Sequence, residues 1–414
     1  MSSLKPVRGT HDLLPEAMRA HRHVVESARE VAERYGFEEM ATPIFESSDV
    51  FRRTLGDTSD IVTKEMYTFS TKGGEEITLR PENTAGVARC FISQGLAQQT
   101  PLKFFYSGPM FRHERPQKGR QRQFHQIGVE TIGVPAPQAD IEVIAAGARI
   151  LAELGLGGRT ALQLNTLGDP ESRTAYREAL VAYFNDYLAD LSAESRERLH
   201  RNPLRILDSK SEQDRAIVAD APAFGDYLNA ESRAFFAEVQ AGLTALGIPF
   251  ELNDRLVRGL DYYTHTAFEF TTTELGAQDA VMAGGRYDGL IAMMGGPSTA
   301  GVGWAAGIER LSMLCGEAPP ARRPIALIPI GGDAEARALI LAETLRDAGL
   351  KIDLGYSGNL GRRMKRANRL NAVAAILIGE DELAQEKATV RDMDGGGQEE
   401  VPLARLPEFL SRYL

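Results

Sequence analysis

The sequence predicts an α+β protein: an antiparallel sheet with flanking helices and a helical insertion, followed by a small α/β domain. Three observations carry this expectation. Apolar and polar residues alternate with a two-residue period over Leu102–Arg112, Gln123–Gly133 and Leu256–Thr272, with turn formers between them. A composition break falls at Gly316–Pro324, where three prolines interrupt helix and strand alike. Beyond the break, short apolar strands alternate with helical stretches, the pattern of a mainly parallel sheet.

In chain order, Ala17–Tyr35 reads as a helix, and the alternating segments then supply the sheet. From about Asp169 to Arg233 the chain is charged and helical without glycine-rich or catalytic features, which marks an insertion. After the linker come a strand at Ile325–Ile330, a helix at Asp333–Ala348 and a strand at Lys351–Leu354. A basic helix at Leu360–Leu370 and a strand at Val373–Ile378 follow. The expected division is residues 1–320, with the insertion at 169–233, and residues 321–414.

Composition narrows the function. The 414 residues are 43% hydrophobic, ample for packed cores, and 47 basic against 57 acidic side chains give a net charge of −10. Such acidity argues against indiscriminate binding along nucleic acid. No apolar run nears the roughly 18 to 20 residues of a membrane span, and the opening lacks an apolar signal core; a cytoplasmic protein without membrane partners is expected. Cys90 and Cys315 lie far apart without CxxC spacing, and the seven histidines show no metal-ligand spacing, so no protein-held metal is expected. Against this background two basic clusters stand out. Arg112, Arg115, Lys118, Arg120 and Arg122 surround the single acid Glu114, and Arg362, Arg363, Lys365, Arg366 and Arg369 contain no acid. The second also fits a solvated helix face.

The common phosphate loops are absent: Gly-Lys occurs nowhere, and Gly301-x-Gly303-x-x-x-Gly307 misses the dinucleotide fingerprint by one residue. Side chains must therefore hold any nucleotide. In Gly108–Gly133, alternation places Gly108, Met110 and Arg112 on one strand face and Gln126, Gly128 and Glu130 on another. If the faces coincide across a hairpin, an arginine, an amide and a carboxylate converge over a glycine that leaves room for a ligand. A second segment, Arg258–Phe270, places Asp261, Tyr263 and His265 on one face, although tyrosine-rich strands often only rim a core. A third, Ala283–Leu311, is a glycine-rich loop and strand running into a helix with Glu309 and Arg310. Its glycines suit close backbone approach to a ligand, and an arginine's fork suits phosphate.

Together these segments resemble motif 2, the histidine-specific signature and motif 3 of the histidyl-tRNA synthetases, a class II aminoacyl-tRNA synthetase family. The resemblance extends through VRGTHDLLP (Val7–Pro15), RYGFEEMATPIFE (Arg34–Glu46, the motif 1 region), Thr78–Arg89 and NLGRRMKRANRLNAVAAILIGEDEL (Asn359–Leu383). Departures are mild: Asn83 stands where the family often has glycine, and Thr264-His265 follows the tyrosine pair.

The resemblance implies a class II catalytic domain with a helical insertion, then an anticodon-binding α/β domain. It implies that ATP and L-histidine form histidyl-adenylate and that histidine passes to its tRNA. Arg112 would bind the α-phosphate, Arg120 and Arg310 the outer phosphates, and Arg258 would bridge the histidine carboxylate and the α-phosphate; Arg112 and Arg258 are the expected catalytic pair. Glu82, Thr84 and Gln126 would receive the α-amino group. Glu130 and Tyr263 would bond the imidazole nitrogens, with Tyr262 and Tyr287 lining the pocket. Arg115 and Gln117 would meet the tRNA acceptor end, and Arg362, Arg363, Lys365 and Arg366 its phosphates. Mg2+ would arrive with ATP, and motif 1 implies a homodimer. The rival is a synthetase-like regulatory subunit of ATP phosphoribosyltransferase; such paralogues lose charged motif residues and usually the tail, which this chain retains.

Overall fold

The computed structural model describes residues 4–55, 61–117, 119–207, 209, 211–256, 262–276 and 280–414. It divides into two compact units, Met1–Pro319 and Pro320–Leu414.

The main sheet of the first unit has eight strands: β1 (Glu38–Glu39), β2 (Leu102–Phe111), β3 (Gln123–Ile132), β4 (Ala161–Thr166), β5 (Glu251–Leu252), β6 (Thr264–Thr271), β7 (Ala280–Arg286) and β8 (Gly301–Gly307). They form one sheet in the order β1-β2-β3-β8-β7-β6-β4-β5. Only the two-residue edge strands β1 and β5 pair in parallel; all other pairs are antiparallel. Among the unit's helices are α1 (Pro15–Arg34), α2 (Thr84–Ser93), α3 (Gln138–Glu153), α4 (Pro170–Asp186), α5 (Ala230–Ala245) and α6 (Ile308–Cys315).

The two-residue period divides the sheet's faces. Phe105, Ile127 and Val129 point to the back, where Val24, Ala28 and Val31 of α1 and Val143, Ile144 and Ile150 of α3 cover them. Tyr106, Met110 and Ile132 point to the front and join Tyr262, Tyr263 and Tyr287. Each apolar side chain so buried contributes about 1.5 to 3 kcal/mol. With both faces covered, β3 is buried from Ile127 through Ile132, although its sequence alternates.

The insertion leaves the sheet after β4. Pro170 opens α4 with its fixed φ, and the Asp169 carboxylate accepts from the Ser172 amide at 2.8 Å, an N-cap. Tyr176, Leu180 and Phe184 of α4 pack with Leu191, Leu199, Ile206, Phe224 and Leu228 into a separate core. Val239 and Leu243 of α5 belong instead to the core behind the sheet.

The second unit has five strands: β9 (Ile325–Pro329), β10 (Ile352–Leu354), β11 (Ala374–Ile378), β12 (Lys387–Asp392) and β13 (Gln398–Pro402), in the order β10-β9-β11-β12-β13. Parallel β9, β10 and β11 alternate with α7 (Gly332–Asp347) and α8 (Leu360–Arg369), as the apolar pattern predicts. The hairpin β12–β13 adds two antiparallel strands that the sequence reading did not register. Among the described residues, no helix is long and apolar enough to cross a membrane.

Candidate active site

The two faces inferred for Gly108–Gly133 coincide. The β2–β3 register sets Gly108 opposite Gln126, Tyr106 opposite Gly128 and Met110 opposite Phe124. On this face opens a cavity of about 270 Å³ lined by Glu82, Thr84, Arg112, Arg120, Gln126, Tyr262, Tyr263, Tyr287 and Arg310, which the sequence analysis singled out. Arg258 and Asp261 lie outside the described residues, as does Lys118.

Glu130 is not itself in the lining but lies behind it, bonded to Thr84 and Tyr287 of the wall. It is fully buried, and three hydroxyls converge on it: Thr84 Oγ1 donates to Oε1 at 2.7 Å, Tyr106 Oη to Oε1 at 3.3 Å and Tyr287 Oη to Oε2 at 2.6 Å. Burial pushes its carboxyl up to about 8, although the hydroxyls of Tyr287 and Thr84 favour the charged form. Burial also raises the phenols of Tyr106, Tyr262 and Tyr287 well above their ordinary range, so they remain neutral donors.

The glycines serve the protein rather than a ligand. A Cβ at Gly128 would lie 2.4 Å from Tyr106 Oη, so the space expected there for a ligand is taken by that phenol. A Cβ at Gly303 would lie 1.9 Å from Glu130 Oε2, so only glycine leaves room for the carboxylate. Gly284 and Gly285, read as loop, lie within β7, where the Tyr263 ring packs against Gly285. His265 does not share the pocket with Tyr263 as alternation implied. Its φ of +44° breaks the period, and its ring stacks on Phe235 of α5.

On one side of the cavity, Glu82 is buried and accepts from the amides of Thr84 and Ala85 at 2.7 and 3.0 Å, capping α2. Burial raises its carboxyl, opposed by these amides and by Arg112. Gln126 Oε1 is buried without a protein partner, an acceptor suited to a ligand N–H. Arg112 donates from Nε to Pro81 O at 2.8 Å and lies 5.3 Å from the Phe124 ring centroid. Arg120 pairs with Glu114 at 3.0 Å, and Arg310 donates to the Gly119 and Ala280 carbonyls. These arginines, an aromatic face and a buried carboxylate sit in one cleft, an arrangement that can hold an anion and a polar ring side by side.

Tyr106 and the His125–Glu309 pair were not foreseen. The alternation that marked Gly108 extends two residues back to Tyr106 and could have found it. Glu309 accepts from the His125 amide and from Nδ1 at 2.8 Å; burial opposes its ionisation, but these bonds hold its carboxyl below the usual range. No sequence signal links residues so far apart.

Arg115 and Gln117 are exposed on the loop between β2 and β3, where Gln117 and Arg120 exchange main-chain bonds around Gly119, at φ +74°. On α8, Arg362 and Lys365 are exposed and Arg366 forms a fork with Asp353 at 3.0 and 2.7 Å. Arg363 corrects the expectation. Its side chain is 5% exposed and donates to Pro329 O and, at 2.6 Å, to Glu335, so it braces the unit instead of facing tRNA phosphates.

This antiparallel sheet, with its arginine-lined cleft and an appended α/β unit, defines a class II aminoacyl-tRNA synthetase. Comparison with known proteins gives the family. The histidyl-tRNA synthetase family description matches residues 9–311, and that of an anticodon-binding domain matches residues 325–413. The histidine–tRNA ligase of Rhodospirillum rubrum is 66% identical over the whole of both chains, and that of Gluconacetobacter diazotrophicus is 56% identical over 99% of each. The crystal structure of apo histidyl-tRNA synthetase from Staphylococcus aureus superposes with a TM-score of 0.84 at 37% identity, covering 98% of this chain and 99% of that one. The chain belongs to the histidyl-tRNA synthetase family.

Proposed function

We propose that this enzyme attaches L-histidine to its tRNA in two steps: ATP and histidine give histidyl-adenylate and pyrophosphate, and histidine then passes to the terminal ribose. The observation that carries the reading is the buried carboxylate of Glu130, held by Thr84 and Tyr287 behind the wall of a cleft that Tyr263, Gln126 and three arginines line. An imidazole, with one ring nitrogen toward Glu130 and the other toward Tyr263, satisfies groups that any aliphatic side chain would strand. Such a site rejects a substrate lacking the polar group by roughly 10⁴-fold or more.

Glu82 and Gln126 would receive the α-amino group. The Thr84 hydroxyl proton is committed to Glu130, so Thr84 would contribute its oxygen as acceptor. Tyr262 and Tyr287 wall the pocket, and Tyr106 and Tyr287 orient Glu130. The displacement at the α-phosphorus requires two anions to approach each other, so the protein's work is positioning and charge compensation. Arg112 takes the α-phosphate and Arg120 and Arg310 the outer phosphates. Arg258 bridges the histidine carboxylate and the α-phosphate.

Among the described residues no cluster of three metal-ligating side chains exists, but Glu114, Glu269 and Glu309 line the cavity. Mg2+ entering on ATP would neutralise phosphate charge, with water and one or two of these carboxylates completing its shell. Arg115 and Gln117 would meet the acceptor end of the tRNA. Residues 321–414 would bind the anticodon region, with Arg362, Lys365 and Arg366 supplying phosphate contacts and Arg363 omitted. Residues 1–320 would form the catalytic domain, with the insertion at about 169–233. A cytoplasmic homodimer completes the reading. Ile44, Phe45 and Phe69, exposed by 43 to 56%, offer the motif 1 region an apolar surface to cover.

Charging of tRNA with labelled histidine tests the proposal. Wild type should charge it, and Glu130→Gln should lose histidine far more than ATP; a wild-type chain that charges no tRNA with histidine contradicts it. The binding-only regulatory subunit is disfavoured by full-length similarity to proteins named as ligases and by the intact charged cleft.

A further inference from the structure

We propose that Arg173, a residue of the helical insertion, is a positioning residue of the histidine pocket because it holds the main chain of Tyr263. The inference rests on the reading of Tyr263 as an imidazole partner. Arg173 lies in the first turn of α4, and its Nη1 donates to Tyr263 O at 2.9 Å. A guanidinium on a carbonyl is a charge-assisted bond, roughly twice as strong as a neutral one.

Neighbouring bonds make the insertion's root rigid. His265 N donates to Gly168 O at 2.7 Å, and Leu167 N donates to His265 O at 2.6 Å. The insertion's entry and exit are tied together. Asn229 Nδ2 donates to Asp169 Oδ2 at 2.7 Å, Asp169 N to Ser232 Oγ at 3.1 Å and Asn229 N to Ser172 Oγ at 3.0 Å. From α5, Phe235 stacks on the His265 ring at 4.6 Å. This support sustains the left-handed conformation of His265, which costs a non-glycine residue about 1 kcal/mol or more.

The two sides of Tyr263 thus have different owners. Its ring packs on Gly285 of β7, where a Cβ would sit 2.9 Å from Tyr263 Cδ1, while its carbonyl is held by the insertion. The pairing of β6 with β7 shifts register beside this point, between Gly285 and Arg286, so regular sheet pairing does not carry the segment through. Release of the carbonyl removes the bond that ties the main chain of Tyr263 to the insertion, and the imidazole's proposed partner is less firmly placed. Arg173 is not among the residues lining the cavity and acts through Tyr263.

The test is pyrophosphate exchange by the full chain, read as separate KM values. Arg173→Met should raise the histidine KM about 10-fold while the ATP KM and kcat stay within a few-fold, in the range of mutations that act through an intervening element. Arg173→Lys, which keeps a cationic donor, should recover most of the loss. Ser195→Ala removes one donor from Asp214 in the insertion's own core and should leave the histidine KM unchanged. If Arg173→Met does not fold, Arg173→Gln decides by the same criterion. An unchanged histidine KM, an equal rise in both KM values, or an equal effect of Ser195→Ala overturns the proposal. Glu130→Gln in parallel separates the failures. If it leaves the histidine KM unchanged, the pocket itself is misread; if it raises it and Arg173→Met does not, only the role of Arg173 falls.

Discussion

Tyr287→Phe isolates one bond in the proposed imidazole site. The ring stays, packed so closely on β8 that a Cβ at Gly301 would lie 2.1 Å from Tyr287 Cε2, so the substitution opens no cavity. What is lost is the hydroxyl that donates to Glu130 Oε2 at 2.6 Å. Above about pH 8, where Glu130 is ionised, a hydrogen bond to its charge contributes about 1.5 to 3 kcal/mol, which is roughly 10- to 150-fold in affinity. Glu130 keeps Thr84 and Tyr106, both on Oε1, so Oε2 loses its hydroxyl donor and the carboxylate its fixed orientation. At such pH histidine affinity should fall about 30-fold, and ATP affinity should not change. A second signature follows from electrostatics. The Tyr287 hydroxyl favours the charged carboxylate, so its removal moves Glu130's titration above about 8 and shifts the pH dependence of histidine binding toward alkali. Calorimetric titration with histidine across pH measures both. A change under two-fold with an unmoved pH profile would refute the reasoning.

Other outcomes follow from the same geometry. Gly303→Ala drives a methyl into Glu130 and to within 2.3 Å of Val129 O, which cannot yield; histidine-dependent exchange should fall by about 100-fold or more while the circular dichroism spectrum is retained. Glu130 titrates near 8 when folded against 4.5 when unfolded, so the folded state holds its proton more tightly. Its contribution to stability is complete below about 4.5 and is lost as pH rises through about 8. Melting temperature without ligand should therefore fall over that interval, and Glu130→Gln should flatten the fall; parallel curves would show that another group is responsible. Arg115→Ala and Gln117→Ala should lower kcat/KM for tRNA charging about 10-fold and leave adenylate formation within a few-fold. A parallel loss of both would assign these residues to the ATP site.

Much of this was legible in the sequence because strands convert spacing into direction. Gln126, Gly128 and Glu130 share a face by parity alone, and parity also places Arg112 with Met110. Parity does not say what fills the space above a glycine. Tyr106 and Glu130 occupy the gaps at Gly128 and Gly303, and both belong to strands neighbouring the glycine's own. Helical periodicity, applied to α8, would have separated Arg363 from Arg362 and Lys365, because Arg363 lies one turn before buried Ala367. Net charge could not make that distinction. Contacts such as Arg173 with Tyr263 or His125 with Glu309 join distant segments and exist only once the sheet order is fixed.

The central claim is that Glu130 and its hydroxyls make this cleft a histidine-activating site. Amino-acid-dependent exchange of labelled pyrophosphate into ATP, measured with each standard amino acid, tests it most directly. The account predicts exchange with histidine alone, by a margin of roughly 10⁴-fold or more over any aliphatic competitor. Exchange driven equally by another amino acid, or none with histidine, would contradict it.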